Sequence, residues 1–445
     1  MITGNETGAA ATGHGVWFRH LSILYLILAV LGPWISTGAV RGVRPEELLL
    51  PVMALAYVAG TGFQLRITRP VRYVLTGLAA VAAGICCSLL ASMTRVGEGP
   101  VIRDMSELIR VAKYALVLIL ATYDVGTAAA CRKWYVYLMF IAAGIAFVQA
   151  LAPSEWVFRV MTAVDPGSAH FYARQNAAAG LLRVTGMFSN PNNFGVFLAT
   201  GAGLLLGRFL HTGNGRERWL LGVGLTTVSG AVMLTQSFTG LVALGSVFLA
   251  GFLAAVFRRR YRRQALILLL TVMIVVGMFV IVESTIGSGV VVIGKRVTTA
   301  KYAFETMAGR FRVWVRVIAN IADEPSTVIF GMGPHKETEE QVSGGDIDSE
   351  YVMILKRYGL IGSLLFAVFV AFTVVALRPS MVPGTTAADG WCLGALLMLL
   401  AIAVCGMTNV VYVNNQLMDI FMFLLGGILT GNRDTVRRSE QVAVS

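Results

Sequence analysis

Two short polar stretches in an otherwise apolar chain hold the residues best suited to chemistry. The first is Arg183-Val184-Thr185-Gly186-Met187-Phe188-Ser189-Asn190-Pro191-Asn192. Asparagine followed by proline is a helix-start signal, because the side chain caps a free amide and proline lacks the amide that would go unused. The open amides and the positive end of the helix dipole at such a start suit an anion. Arg183 adds a planar, forked donor for phosphate. The same residues also fit plain capping, with Arg183 on lipid headgroups. The second stretch places Asp346, Asp348 and Glu350 just before another apolar segment. Three neighbouring acids resist ionising together, while a helix N-terminus favours their charged form. A carboxylate there can accept a proton from an attacking hydroxyl within hydrogen-bond reach. The structural alternative is that Asp346 or Asp348 caps the helix and Glu350 is solvated.

Cations stand between these stretches. Residues 309–322 follow helical spacing, with Phe311, Val315, Ile318 and Ala322 on one side and Arg312, Arg316 and Asn320 on another. Such a helix lies along a membrane surface, its arginines snorkelling to phosphates, until Glu324-Pro325 ends it. Arg310, Arg312 and Arg316 are also suited to neutralising a diphosphate leaving group. Lys356 and Arg357 are placed to pair with the acids or with headgroups. His335 is a lone loop histidine. Asp419 sits within the last apolar segment, where an acid needs a partner; the arginines, Asn414, Asn415 and Gln416 are candidates. Trp17, Tyr57, Trp134, Trp219, Trp391 and Tyr412 lie near segment ends and read as interfacial belts.

The elements that must position these residues are membrane spans. With 56% hydrophobic and 13% charged residues, the chain is no soluble domain. Twelve apolar segments are centred on 17–35, 47–64, 72–92, 106–123, 134–151, 188–207, 219–235, 238–257, 264–283, 352–377, 391–408 and 412–430. The expectation is an all-α polytopic protein, one integral membrane domain over residues 1–445, with an uncleaved first span. With both termini cytoplasmic, the inner segments carry 18 Lys/Arg against six acids, led by Arg258–Arg263, and the outer segments 18 against 17. This is the positive-inside pattern, so the net charge of +12 reports topology, not nucleic-acid binding. Two long connections, 152–187 and 284–351, fall outside, the second holding the surface helix. No outer loop contains cysteine, and the five histidines lack metal-ligand spacing. Neither a disulfide framework, a metal nor another cofactor is expected. Nor is there an internal repeat of the kind that builds many transporters.

Over roughly residues 180–430 the chain resembles the O-antigen polymerase and ligase superfamily, the Wzy- and WaaL-type bacterial membrane glycosyltransferases. Four segments carry the resemblance: Arg183-x-x-Gly186-x-Phe188-x-Asn190-Pro191-Asn192; Thr235-Gln236-Ser237-Phe238-Thr239-Gly240; Gly309-Arg310-x-x-x-Trp314 with Gly331-x-Gly333; and Asp348-Ser349-x-Tyr351 with Tyr358-Gly359-Leu360-Ile361-Gly362. Two departures stand out. Asp348-Ser349 replaces the His-Asn pair usual in ligases, which favours a polymerase, and Phe238 stands where many relatives have arginine. The resemblance implies a GT-C-like scaffold in the bacterial inner membrane. It also implies inverting, metal-independent glycosyl transfer on the outer face. The donor and acceptor are then glycans on undecaprenyl diphosphate, with a Wzz-type chain-length regulator as a possible partner. Arg183, Asn190, Asn192, Arg310, Arg312 and Arg316 are expected to hold the diphosphate, and Asp348, then Glu350, to act as base.

Overall fold

The computed structural model describes residues 13–32, 44–62, 67–96, 102–151, 183–188, 190–257, 300–334, 349–378, 387–412 and 414–444, with a few isolated residues besides. Among them every regular element is a helix: α1 (Gly13–Leu31), α2 (Pro45–Thr61), α3 (Arg69–Val96), α4 (Ile102–Leu120), α5 (Val125–Leu151), α6 (Pro191–His211), α7 (Gly215–Leu234), α8 (Phe238–Val256), α9 (Ala300–Ala322), α10 (Pro325–Phe330), α11 (Glu350–Leu377), α12 (Ala387–Gly406) and α13 (Asn415–Val444). All the apolar segments except the ninth, 264–283, coincide with a described helix; of the ninth only Leu266, Ile267 and Leu270 are among the described residues. Seven helices, α1, α3, α5, α6, α8, α11 and α12, are long and apolar enough to cross a membrane. The protein is therefore an all-helical, multi-pass membrane protein.

Local sequence sets the helix starts. Asn190 Oδ1 accepts from the Asn192 amide at 2.8 Å, with Pro191 as the first helical residue of α6. Asn214 caps α7, and Ser237 caps α8 by accepting from the Gly240 amide at 3.1 Å. At the end of α2, Gly62 takes a left-handed conformation (φ 58°) that closes the helix.

The most enclosed of the seven spans is α6, with 89% of its apolar window buried. Its glycines allow that enclosure. A Cβ on Gly207 would lie 2.2 Å from the Gly394 nitrogen of α12, and one on Gly195 would lie 2.9 Å from the Ser237 side chain. Small residues at such crossings let helix backbones approach where lipid supplies no hydrophobic drive. In a second close pair, α3 and α11 run antiparallel. Ser88 meets Arg357, Gly84 meets Gly362, and Gly77 meets Phe369.

Long-range polar contacts sort the helix ends into two sets. One set joins the end of α1, the starts of α2 and α4, the end of α3, residues 183–192, the α7–α8 turn, α10, the start of α11 and the α12–α13 turn. In the opposite set, Arg132 donates to the Gly427 carbonyl at 2.8 Å, Arg208 pairs with Glu217 at 2.7 Å, and both arginines flank the Trp391 ring. The residues singled out for chemistry that the structure describes belong to the first set or to α9, which packs beside it.

Candidate functional site

The mouth of α6 is stitched together by Arg183. Its Nε donates to the Thr235 carbonyl at 3.1 Å, and Nη2 donates to Asn192 Oδ1 at 2.8 Å and the Gln236 carbonyl at 3.4 Å. One guanidinium thus ties the segment before α6 to the first turn of α6 and to the α7–α8 turn. Gln236 has a positive φ of 50°, uncommon for a residue with a side chain. Gln149, at the end of α5, supports the segment from below: Oε1 accepts from the Thr185 and Gly186 amides at 3.1 and 2.9 Å, and Nε2 donates to the Gly186 carbonyl. Gly186 has φ 55°, and a Cβ there would lie 2.4 Å from the Phe194 ring. Phe188 packs on Phe194 and Phe197. Arg183, Thr185, Gly186, Phe188, Asn190 and Asn192 thus each have a packing, bonding or capping duty. Arg183, Asn190 and Asn192 are brought together at the start of α6.

A second assembly forms where α11 breaks. Gly359 adopts φ 64°, ψ −163°, a conformation essentially restricted to glycine, so the nine residues before it form a separate helical piece. The carbonyls released there find new donors. The Met332 amide donates to the Lys356 carbonyl at 2.7 Å and the Gly333 amide to the Arg357 carbonyl at 3.0 Å. Ser88 of α3 also donates to the Arg357 carbonyl. The approach is so close that a Cβ on Gly331 would come within 2.3 Å of the Arg357 oxygen, and one on Gly359 within 2.4 Å of the Ile329 oxygen. Arg95 clamps the same turn by donating to Thr327 Oγ1 and, at 3.2 Å, to the Gly331 carbonyl. Glu324, just before α10, accepts from Ser326 and Thr327, and these bonds hold its carboxyl below the usual range.

Arg310, Arg312 and Arg316 are on a different helix from Arg183. They lie along α9, which packs on α10 and α11 through Val317 and Ile321. Phe311, Val315 and Ile318 are exposed on that helix, as are Arg312 and Arg316. Residues 309–322 are helical, and the face buried against the bundle is that of Val317 and Ile321. Asp346, Asp348 and His335 lie outside the described residues.

Glu350 is described, and it is not solvated. Only 3% exposed, it accepts from the Tyr412 amide through Oε2 at 2.7 Å, joining the start of α11 to the α12–α13 turn. Beneath it runs a buried ionic network that sequence reasoning missed. Arg357 donates to Glu107 Oε1 of α4 at 3.1 Å. Glu107 also pairs with Arg110, which donates to Asn415 Oδ1 at 3.0 Å. Tyr114 donates to the Tyr412 carbonyl at 2.7 Å. Asp419 finds its partner in Lys113 at 3.0 Å, rather than in an arginine or the 414–416 amides, and Lys113 reaches Glu47 at the same distance. Arg44 and Gln416 both donate to the Ala29 carbonyl. Tyr57 and Tyr412 are buried at 3% and 5% exposure, not belt residues, whereas Trp17 and Trp219 are exposed. The signal for the network was present: Asp104, Glu107, Arg110 and Tyr114 repeat every three or four residues, one stripe of α4. Charges inside an apolar segment are expensive unless paired, so that stripe already required partners.

Among the described residues, no three His, Cys, Asp or Glu side chains gather closely enough to hold a metal ion. No family model matches the chain, and no curated protein resembles it closely enough to count as a relative.

Proposed function

We propose that this protein is a membrane glycosyltransferase of the O-antigen polymerase type. In this reading it joins oligosaccharide repeat units carried on undecaprenyl diphosphate at the outer face of the bacterial inner membrane, with both termini cytoplasmic. The observation that carries the proposal is the pairing of the four resembling segments. Arg183 and Asn192 of the first bond to the Thr235–Gln236 turn of the second. Gly331 and Gly333 of the third interlock with the broken helix at Gly359 of the fourth. Segments far apart in sequence thus build two backbone assemblies, and the α12–α13 turn reaches the first turn of α6 through Asn409 donating to Asn193 and the start of α11 through the Tyr412 amide donating to Glu350.

The roles follow from chemistry. The α6 start, with Arg183 held across it, receives the diphosphate through backbone amides and charge. The α9 arginines add positive charge as the diphosphate lipid leaves. Asp348 takes the proton of the attacking hydroxyl, and Glu350, bonded to the Tyr412 amide, anchors the chain two residues beyond it. The test is an assay with purified protein and undecaprenyl-diphosphate repeat units. A ladder of products is expected, abolished by Arg183→Ala and Asp348→Asn while both variants still reach the membrane; absence of any ladder from the wild type would sink the proposal.

A second reading, a transporter of lipid-linked sugar, draws support from one observation. The Glu107–Arg357 and Lys113–Asp419 pairs put charge on helices α4, α11 and α13 instead of in loops. Translocation of the labelled lipid in proteoliposomes without any ladder would favour it.

A further inference from the structure

Lys113 of α4 stands between two carboxylates. Its ammonium lies 3.0 Å from Glu47 Oε1 at the start of α2 and 3.0 Å from Asp419 Oδ2 on α13. One cation is shared by two anions, and the sharing is unequal. Towards Glu47 the contact is a hydrogen bond, and 32% of the Glu47 side chain is open to solvent. Asp419 is 1% exposed, and neither of its oxygens makes a hydrogen bond.

On its other side Asp419 is closed in by α1. One turn before it, Gln416 donates to the Ala29 carbonyl at 3.0 Å; one turn after it, Phe423 packs on Tyr25 with ring centroids 5.2 Å apart. The Tyr25 hydroxyl is fully buried and has no hydrogen-bond partner, and its strongest charged neighbours are Asp419 and then Glu46. Arg44, the cap of α2, is matched by Glu46 at 2.9 Å. On α4, Tyr114 is committed to the Tyr412 carbonyl. Arg132 of α5 and Asp389 of α12 lie at the opposite end of the bundle, and Arg95 of α3 is bonded to Thr327. With Arg44 and Glu46 cancelling, Lys113, Glu47 and Asp419 leave one negative charge in excess. A buried carboxylate without a hydrogen bond is costly. A proton on Asp419 removes that charge and makes an O–H for which the Tyr25 oxygen is an acceptor.

We propose that Asp419 is a proton-binding site, filled from water by way of Glu47 and Lys113. Glu47 takes a proton from hydronium; Lys113 gives one of its N–H protons to Asp419 and recovers one from Glu47. The net change is one new O–H bond on Asp419 and one water in place of one hydronium. Lys113 is then left to Glu47 alone, so the proton decides whether α4 is tied to α13 or only to α2. The inference stands whether or not the chain transfers glycans. It is tested on the full-length protein in nanodiscs by infrared difference spectra between acidic and alkaline buffer. Acidification should raise the carbonyl band of a protonated carboxyl, shifted in D2O and absent from Asp419→Asn, whose neutral amide copies the shape of the acid. Glu47→Gln leaves Lys113 wholly to Asp419, so the band should appear about one pH unit lower, an affinity for the proton about tenfold weaker. Lys113→Gln removes the cation, and the band should appear about one pH unit higher or more. The Glu47→Gln measurement keeps Asp419 and its contacts in place, so it decides the matter even if Asp419→Asn fails to fold. A band that survives Asp419→Asn, or one that keeps its pH in Glu47→Gln, overturns the proposal, as does the absence of any such band.

Discussion

At the scale of single residues, Glu350 separates anchoring from catalysis. Its carboxylate accepts the Tyr412 amide, and glutamine presents an oxygen in the same place. Glu350→Gln should therefore retain glycan polymerisation within a few-fold. Glu350→Ala strands a buried amide at a cost of about 1–3 kcal/mol and should lose both stability and product. Equal loss in both variants, read as product ladder and thermal midpoint, would return Glu350 to the role of base. The Asn190-Pro191 start was legible in the sequence because capping is a local matter, settled within three residues. The duties of Arg183 were not, since two of its acceptors lie some fifty residues away, at Thr235 and Gln236. Lys113 was missed as the partner of Asp419 for the same reason: the pairing of α4 with α13 is set by packing, not by spacing.

At the scale of elements, the break in α11 governs. Gly359 sits where a side chain costs about 1–3 kcal/mol in backbone strain alone, and its Cβ would also overlap the Ile329 oxygen. Gly359→Ala should lower the thermal midpoint clearly, whereas Gly144→Ala, in α5 with open space around it, should leave it unchanged or slightly raised. The turn before α10 carries its own pH dependence. Hydrogen bonds from Ser326 and Thr327 depress the Glu324 carboxyl, so its contribution to folding is present above the ordinary carboxylate range and disappears as pH falls through the depressed value. Hydrogen exchange at residues 325–333 should rise on acidification, and Glu324→Gln should remove that step. Apolar runs made the spans readable, and so did the 3.6-residue rhythm of α9. The Gly331-x-Gly333 and Gly359 segments were readable as glycine motifs, but not as partners, because backbone pairing between distant turns leaves no side-chain pattern.

At the scale of the whole molecule, two sets of helix ends, one ionic and one arginine-rich, give a sided protein. Cysteine placed at His335 in a cysteine-free background should react with an impermeant maleimide in intact cells, and cysteine at Asn214 only after permeabilisation. The reverse pattern would invert the topology. One consequence lies in how residues 335–348 are bracketed. On one flank, Met332 and Gly333 are fixed to the broken helix and to α3; on the other, Ser349 and Glu350 are fixed to the α12–α13 turn. The two flanks are thus held by separate walls of the scaffold and not by each other. A change in one wall therefore shifts its own flank while the other keeps its place.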